Sequence, residues 1–415
     1  MTVAEPSARV AARHPSTVPD AVLAAEVADV VAIPRHEPAD SFVLHAPLEL
    51  LARVALLPFV RPTSRPLARR RLRLLGEHYA AWGRPVSEPS PDAFDSPAAA
   101  ADRLRAAIAA GDLDAVDPPA RWLGRAVAPS DLRALLADDV VRSLAAAAHG
   151  SIFLHHLPRI ASRGEITGEL LRGLARELAR YPDWRLRWVD ETELGVADSD
   201  GVFEAIATTP RIGEPANTFI FPLVSYVDTR GIAAAQLAGV TGGTDVGDGG
   251  RALLRAASWT MLEEPGDHAP YGWTHALTMP QAVLGIAPAM RDPSAGLAIA
   301  ATYVVGFRSA LAREPLESRA PDDPGVALAE ALTASPQVAA ASAWHRSLVD
   351  AREVIAELAS RAAVAHDAHH VKYVLACIDA AADDPAHRAL HLAAAAALTA
   401  WWAQHPDRDD PLLDA

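Results

Sequence analysis

Cysteine, lysine and methionine are scarce in this 415-residue chain, which has one Cys and four Met and sets a single Lys against 37 Arg. One cysteine, Cys377, excludes an intrachain disulfide framework and any zinc site built on several thiolates. It suits a reducing compartment and reads as a buried structural thiol. Long apolar runs are missing as well. The longest uncharged stretch, 269–290, is interrupted by Pro270, Pro280, Pro288 and His275, and the stretch 294–307 is too short to cross a bilayer. The first twenty residues lack the apolar segment of a signal peptide. A soluble, cytoplasmic protein with no membrane partner is the expectation. The formal net charge is −14, so the broad basic face of a nucleic-acid binder is not expected. The locally basic run from Arg65 to Arg73 reads as a solvated helix face. There is no Walker lysine motif, no G-x-S-x-G and no H-E-x-x-H. GDGGRA at 247–252 matches the G-x-G-x-x-A fingerprint in letters only, because the preceding AAAQLAGVTGGTD does not read as a strand.

Hydrophobic residues make up half of the chain, alanine is abundant, and 33 prolines fall largely between Ala/Leu/Arg-rich stretches. This pattern predicts many helices separated by proline-marked turns. Helices are expected near 41–60, 66–83, 98–111, 129–148, 149–161, 165–181, 217–240, 251–263, 276–290, 295–313, 326–334, 336–362, 366–382 and 386–404. Residues 84–101 read as a Pro/Ser/Asp linker and 239–250 as a glycine loop. Between 184 and 210 the pattern alternates, which predicts a small β-hairpin. The expected fold is mainly α: a partly ordered segment over 1–40, then one bundle-like multi-helix domain over 41–415.

Chemistry concentrates in the histidines. His149 and His156 are seven apart, two helical turns, so they share a face of a predicted helix. His366, His369 and His370 cluster with Asp367, which is placed to face His370, and Lys372 follows at once. His45 opens an apolar helix, and His268 and His275 bracket another segment. Histidine serves proton transfer and metal ligation near neutral pH, and a helical bundle can gather such groups from several helices. A lone histidine on an apolar helix is more often a hydrogen-bonded core residue. His387 and His391 read that way, and His14, His36, His78, His345 and His405 as surface residues. Lysine can act where arginine cannot, as a compact ammonium that also loses its proton when desolvated.

Four segments resemble the questin oxidase-like family. DAHHVKYVLAC (367–377) is similar to its D-x-H-x-x-K-x-x-x-A-C pattern, and YGWTHALTMPQ (271–281) to Y-G-W-x-H-x-L-x-x-P-Q. His149-Gly150 with His156 resembles a T-H-G…H segment, and His45 in LHAPL an N-H-x-P-M opening. The four occur in the family's order, although Leu44 stands for an Asn, Ala148 for a Thr, and 184–265 does not align. The resemblance implies a monooxygenase of secondary metabolism acting on an aromatic polyketide by Baeyer–Villiger-like ring cleavage. Molecular oxygen would be co-substrate and NADPH the associated reductant, used in the reaction or by a partner. His45, His149, His156, His275 and His369 would line a pocket, with Asp367 and Lys372 in support and a planar substrate held by Tyr271, Trp273, Phe219, Phe221 and Tyr226. A metal such as iron on His149, His156 and His369 and metal-free activation of the substrate both remain open. The alternatives are a cyclase or hydratase using His/Lys acid–base catalysis, and a binding protein for a hydrophobic metabolite. Trp401 and Trp402 on the last helix would pack either on a second copy, giving a homodimer, or on the chain's own core.

Overall fold

Helices begin where the sequence provides an acceptor followed by proline or a small residue. Ser96, Asp198, Asp292, Ser335 and Asp367 each accept a hydrogen bond from an amide of the first helical turn, and Pro97, Pro293 and Pro336 occupy the first helical position behind three of them. The computed structural model describes residues 18–36, 41–90, 92–160, 164–212, 219–242, 246–264, 266–407, 410 and 412. Among them are nineteen α-helices and no sheet; isolated bridges such as Val196 with Thr241 are the extent of β structure. The fold is mainly α, as its composition predicts. The chain separates into two compact units, the first ending at Arg185 and the second beginning at Leu186, where the sequence reading has one domain over 41–415.

The first unit contains α1 (Asp20–Val31), α2 (Ser41–Leu56), α3 (Arg65–Ala80), α4 (Pro97–Ala109), α5 (Asp117–Ala126), α6 (Pro129–Val141), α7 (Gly150–His156) and α8 (Gly164–Arg180). Within the segment read as partly ordered, α1 is a helix burying Leu23, Val27 and Val31; residues 1–17 and 37–40 lie outside the described residues. The basic run on α3 is not a solvated face. Arg69, Arg71 and Arg73 are buried, and Arg69 donates to Asp20 and to the Val18 carbonyl. Helix α5 was not expected from sequence, yet it packs closely on α8 through Gly124 and Gly168. A Cβ on Gly124 would lie 2.5 Å from the Gly168 Cα, against rigid backbone. Gly124→Ala should therefore destabilise the first unit by about 1–3 kcal/mol, read by urea unfolding; an unchanged midpoint would mean the helices can separate at no cost.

The second unit contains α9 (Trp188–Glu191), α10 (Ser199–Ala207), α11 (Ile220–Thr229), α12 (Ile232–Leu237), α13 (Val246–Glu263), α14 (Thr274–Ile286), α15 (Pro293–Leu311), α16 (Leu328–Ala331), α17 (Pro336–Val364), α18 (Ala368–Asp383) and α19 (Arg388–Gln404). The predicted hairpin is instead the two short helices α9 and α10. Asp198 caps α10 by accepting from Gly201 N at 2.9 Å, and Asp228 accepts from the amides of Arg187 and Trp188, so one local cap and one distant carboxylate override the alternating pattern. The segment 217–240 divides at Gly231, whose φ of +70° ends one helix before the next. GDGGRA lies within the first turns of α13, and Gly250 packs against Leu284. Helix α15 has 19 residues and a mean hydropathy of 1.3, long and apolar enough to cross a membrane, but 94% of it is buried inside the structure. At its end the buried Arg308 donates to the Ile206 and Ala207 carbonyls, which closes the C-terminus of α10.

Candidate functional site

The residues singled out from sequence divide between the units: His45, His149 and His156 in the first, His275, Asp367, His369 and Lys372 in the second. In the first unit, His149 stands at the start of α7, directly after Ala146, Ala147 and Ala148, whose φ values of 54°, 49° and 57° are all left-handed. Each such alanine costs roughly 1–2 kcal/mol. The turn places the Ala147 carbonyl 2.8 Å from His149 Nδ1. A carbonyl only accepts, so Nδ1 carries the proton. The His45 ring lies 4.9 Å from that of His149. His156 packs instead on its neighbour His155, with ring centroids 4.7 Å apart. Burial, with Arg133 and Arg159 nearby, pushes His155 down to about 3.

In the second unit, Asp367 is the N-cap of α18 and reaches His369, not His370 as its spacing suggests. Its Oδ1 accepts from the His369 amide at 2.6 Å and from His369 Nδ1–H at 3.1 Å. The Tyr271 hydroxyl donates to Oδ2 at 3.3 Å. An N-cap side chain meets the amide two residues on, which turns the expected i,i+3 pair into an i,i+2 pair. The rest of the histidine cluster diverges. His370 Nε2 meets Thr399 Oγ1 at 3.0 Å in the core, and His366 pairs with Asp407 at the surface.

His275 is delivered to the same place by a wide π-helical turn, Ala269–Trp273, that precedes α14. Its Nδ1–H donates to the Tyr271 carbonyl, and its ring stacks near Phe307 at 6.0 Å. The His369 ring meets both His275 and Tyr271 edge to face at 5.0 Å. Lys372, one turn along α18 from His369, is buried. Burial pushes the His275 pKa well below the ordinary value, and a proton on His369 and the charge of Lys372 push in the same direction. Burial alone would raise Asp367, but its hydrogen bonds from His369, with the charges of His369 and Lys372, hold it below the usual carboxylate range. Tyr271 is pushed up to about 12 by burial and by Asp367. The result is an ionised carboxylate orienting one imidazole, a neutral second imidazole, a neutral phenol and a buried lysine side chain.

Other groups are out of play. Burial pushes the Cys377 thiol up, although a hydrogen bond with Tyr373 partly offsets it, so a thiolate nucleophile is not available at neutral pH. Sequence reasoning missed a buried Ser–His pair with an aspartate nearby. Ser258 Oγ lies 2.8 Å from His391 Nδ1, and His391 Nε2 lies 3.9 Å from Asp384 Oδ2. Ser258 and His391 are completely buried, and their hydrogen bond ties α13 to α19. Of the expected aromatic platform, Tyr271 and Phe219 are exposed, Tyr226 is at the surface and Trp273 is core. Trp402 packs edge to face on Tyr271 at 6.3 Å and on Trp401 at 5.0 Å. Among the described residues, neither unit by itself brings three His, Cys or carboxylate donors within 4.8 Å of one another. Compared with known protein families, curated proteins and solved structures, the chain gives no match.

The buried neutral histidines set an acid limit on stability. Folded His155 and His275, and with them His391, resist protonation, whereas the unfolded chain protonates them from about pH 6.5 downward. The unfolded state then holds more protons, so stability rises with pH in this range and is lost on acidification. Each such histidine contributes up to about 1.4 kcal/mol per pH unit. Urea unfolding at pH 7 and pH 5 should show the loss; equal stabilities would place these side chains in solvent.

Proposed function

We propose that the chain is an oxidoreductase acting on a phenolic aromatic natural product of the polyketide type. Asp367 and His369 form its proton-transfer dyad and molecular oxygen is its co-substrate. One observation carries the reading: Asp367 grips both the backbone and Nδ1 of His369, which orients Nε2 as a base beside neutral His275 and buried Lys372. A carboxylate holding an imidazole in one tautomer is the geometry that general-base catalysis needs. The order of the four family-like segments agrees with it, since the dyad and His275 occupy two of them.

In the proposed first step the phenol O–H bond breaks, the proton moves to His369 Nε2, and the electron pair stays on the substrate oxygen. The Lys372 ammonium favours that negative charge in a site of low polarity. The electron-rich ring then supplies electrons to oxygen. Lysine fits this role better than arginine, because a buried guanidinium needs several acceptors around its planar fork. NADPH, when it takes part, supplies further reducing electrons, and a metal ion would add Lewis acidity. The metal reading draws on histidines of both units, and no step here is routed through it.

A cyclase or hydratase using the same dyad is the second reading, because proton transfer alone needs no oxygen. Oxygen uptake measured with phenolic anthraquinones and their reduced anthrone forms, with and without NADPH, separates the two. Uptake that is lost in His369→Ala while ligand binding persists is the expected result. Product formed without oxygen consumption would transfer the dyad to the non-redox reading, and binding without any turnover would make the chain a carrier. Elemental analysis of the same preparations reads the metal directly.

A further inference from the structure

A row of aromatic rings leads from the surface of the second unit to the Asp367–His369 dyad. The last turn of α19 carries Trp401 and Trp402, and its C-cap is the exposed His405. The His405 ring stacks on Trp401 at 4.0 Å, and its Nδ1–H donates to the Trp401 carbonyl at 2.8 Å. Trp401 meets Trp402 at 5.0 Å, Trp402 meets Tyr271 at 6.3 Å, and Tyr271 meets His369 at 5.0 Å, all edge to face. These are the spacings of direct ring contact, so the row is unbroken. The wide turn Ala269–Trp273 sets its inner end: the Tyr271 carbonyl holds His275, while the side chain turns to Asp367.

Tryptophan and tyrosine are the side chains most readily oxidised by one electron. Electron transfer between rings in contact is far faster than across one long gap. The rings differ in where a proton can go. The Trp402 Nε1–H is buried and meets no acceptor among the described residues. An oxidised Trp402 therefore keeps its proton, remains a strong oxidant and passes the electron hole on. The Tyr271 hydroxyl donates to Asp367 Oδ2 at 3.3 Å. An oxidised phenol is a strong acid, so this carboxylate takes its proton and the hole comes to rest on Tyr271. The same carboxylate holds His369 Nδ1 through Oδ1, which joins the row to the dyad.

We propose that Trp401, Trp402 and Tyr271 form a one-electron relay that carries reducing electrons from the surface to the Asp367–His369 site. The relay rests on the oxidoreductase reading, since it needs an oxidised species beside His369. There a phenoxyl radical of the substrate gains one electron from Tyr271 and becomes a phenolate. The Tyr271 O–H bond breaks, its proton goes to Asp367, and a neutral tyrosyl radical remains. Trp402 then gives one electron to Tyr271, which takes its proton back from Asp367. Trp401 refills Trp402, and an ene-diol reductant such as ascorbate loses one electron to refill Trp401.

The test places a photo-oxidant at the outer end of the row and needs neither substrate nor oxygen. Cys377 is completely buried, so a thiol-reactive ruthenium polypyridyl complex labels only the thiol introduced by His405→Cys. Ala403→Cys, also at an exposed position, serves if the first variant does not fold. After a laser flash with a cobalt(III) quencher, a neutral tyrosyl radical is expected by transient absorption and electron paramagnetic resonance. Tyr271→Phe in the labelled chain should abolish it, and Trp402→Phe should remove most of its yield. Asp367→Asn should slow its formation by at least about 10²-fold, because the proton loses its acceptor. No tyrosyl radical in the labelled chain, or one that survives Tyr271→Phe, overturns the relay and leaves the oxidoreductase reading standing. Undiminished yield in folded Trp402→Phe overturns it as well. Oxygen uptake with phenols is a separate measurement: its absence removes that reading and does not alter the radical.

Discussion

Asp367→Asn is expected to lower turnover by about 10²- to 10⁴-fold while the protein stays folded. Asparagine keeps the side-chain oxygen that accepts from the His369 amide, so the start of α18 is retained. The negative charge beside His369 is lost, and with it the stabilisation of the imidazolium that forms when the substrate proton arrives. The effect should fall on kcat more than on KM, because the charge matters most once the proton has moved. The acid limb of the pH–rate profile should shift to lower pH, since a base without its carboxylate binds its proton less tightly. Asp407→Asn, which alters the surface pair with His366 and removes a charge that acts on Tyr271, serves as the comparison and should lower turnover far less than Asp367→Asn. Turnover within about threefold of the original in a folded Asp367→Asn protein would remove the dyad from the mechanism.

Asp117→Ala is expected to cost the first unit about 3–5 kcal/mol. Asp117 Oδ2 accepts from Arg172 Nη2 at 3.0 Å and from Arg176 Nη1 at 2.9 Å, and all three side chains are buried. Removing the carboxylate leaves two guanidinium groups without their shared counter-charge in a medium that solvates them poorly. Glu169 still reaches Arg172, and the Leu113 carbonyl still accepts from Arg176, which favours the lower end of the range. Asp114 also pairs with Arg176, but its side chain is 92% exposed. Asp114→Ala should therefore cost under about 1 kcal/mol. Calorimetric melting of both variants checks the contrast. Equal losses would mean that burial does not set the value of these pairs.

Much of this molecule is legible in its sequence. Alanine and leucine periodicity, with Ser-Pro and Asp-Pro at helix starts, specifies most of the helices, because propensity and capping are local. The same locality marked DAHHVK and YGWTH as places where chemistry could gather. Misreadings arose where a distant partner outweighed the local pattern. Helix α5, which opens Asp-Pro-Pro, is stabilised by packing on α8 across Gly124 and Gly168 and by the Asp117 pairs, none visible from its ten residues. The alternation at 184–210 yields to the Asp198 cap and to Asp228, forty residues away. Arg69 to Arg73 look like solvent-facing cations until α1 places Asp20 and the Val18 carbonyl beside Arg69.

The sequence by itself determined an α-helical protein and the residue types available for proton transfer. Tertiary structure decided which histidines lie side by side, bringing His275 to His369. His366, His369 and His370 are nearly equivalent by spacing, yet one faces Asp407, one Asp367 and one Thr399. His369 takes its direction from the N-cap Asp367 two residues before it, whereas His366 and His370 take theirs from Asp407 and Thr399, 41 and 29 residues on, which only the packing of the fold brings near.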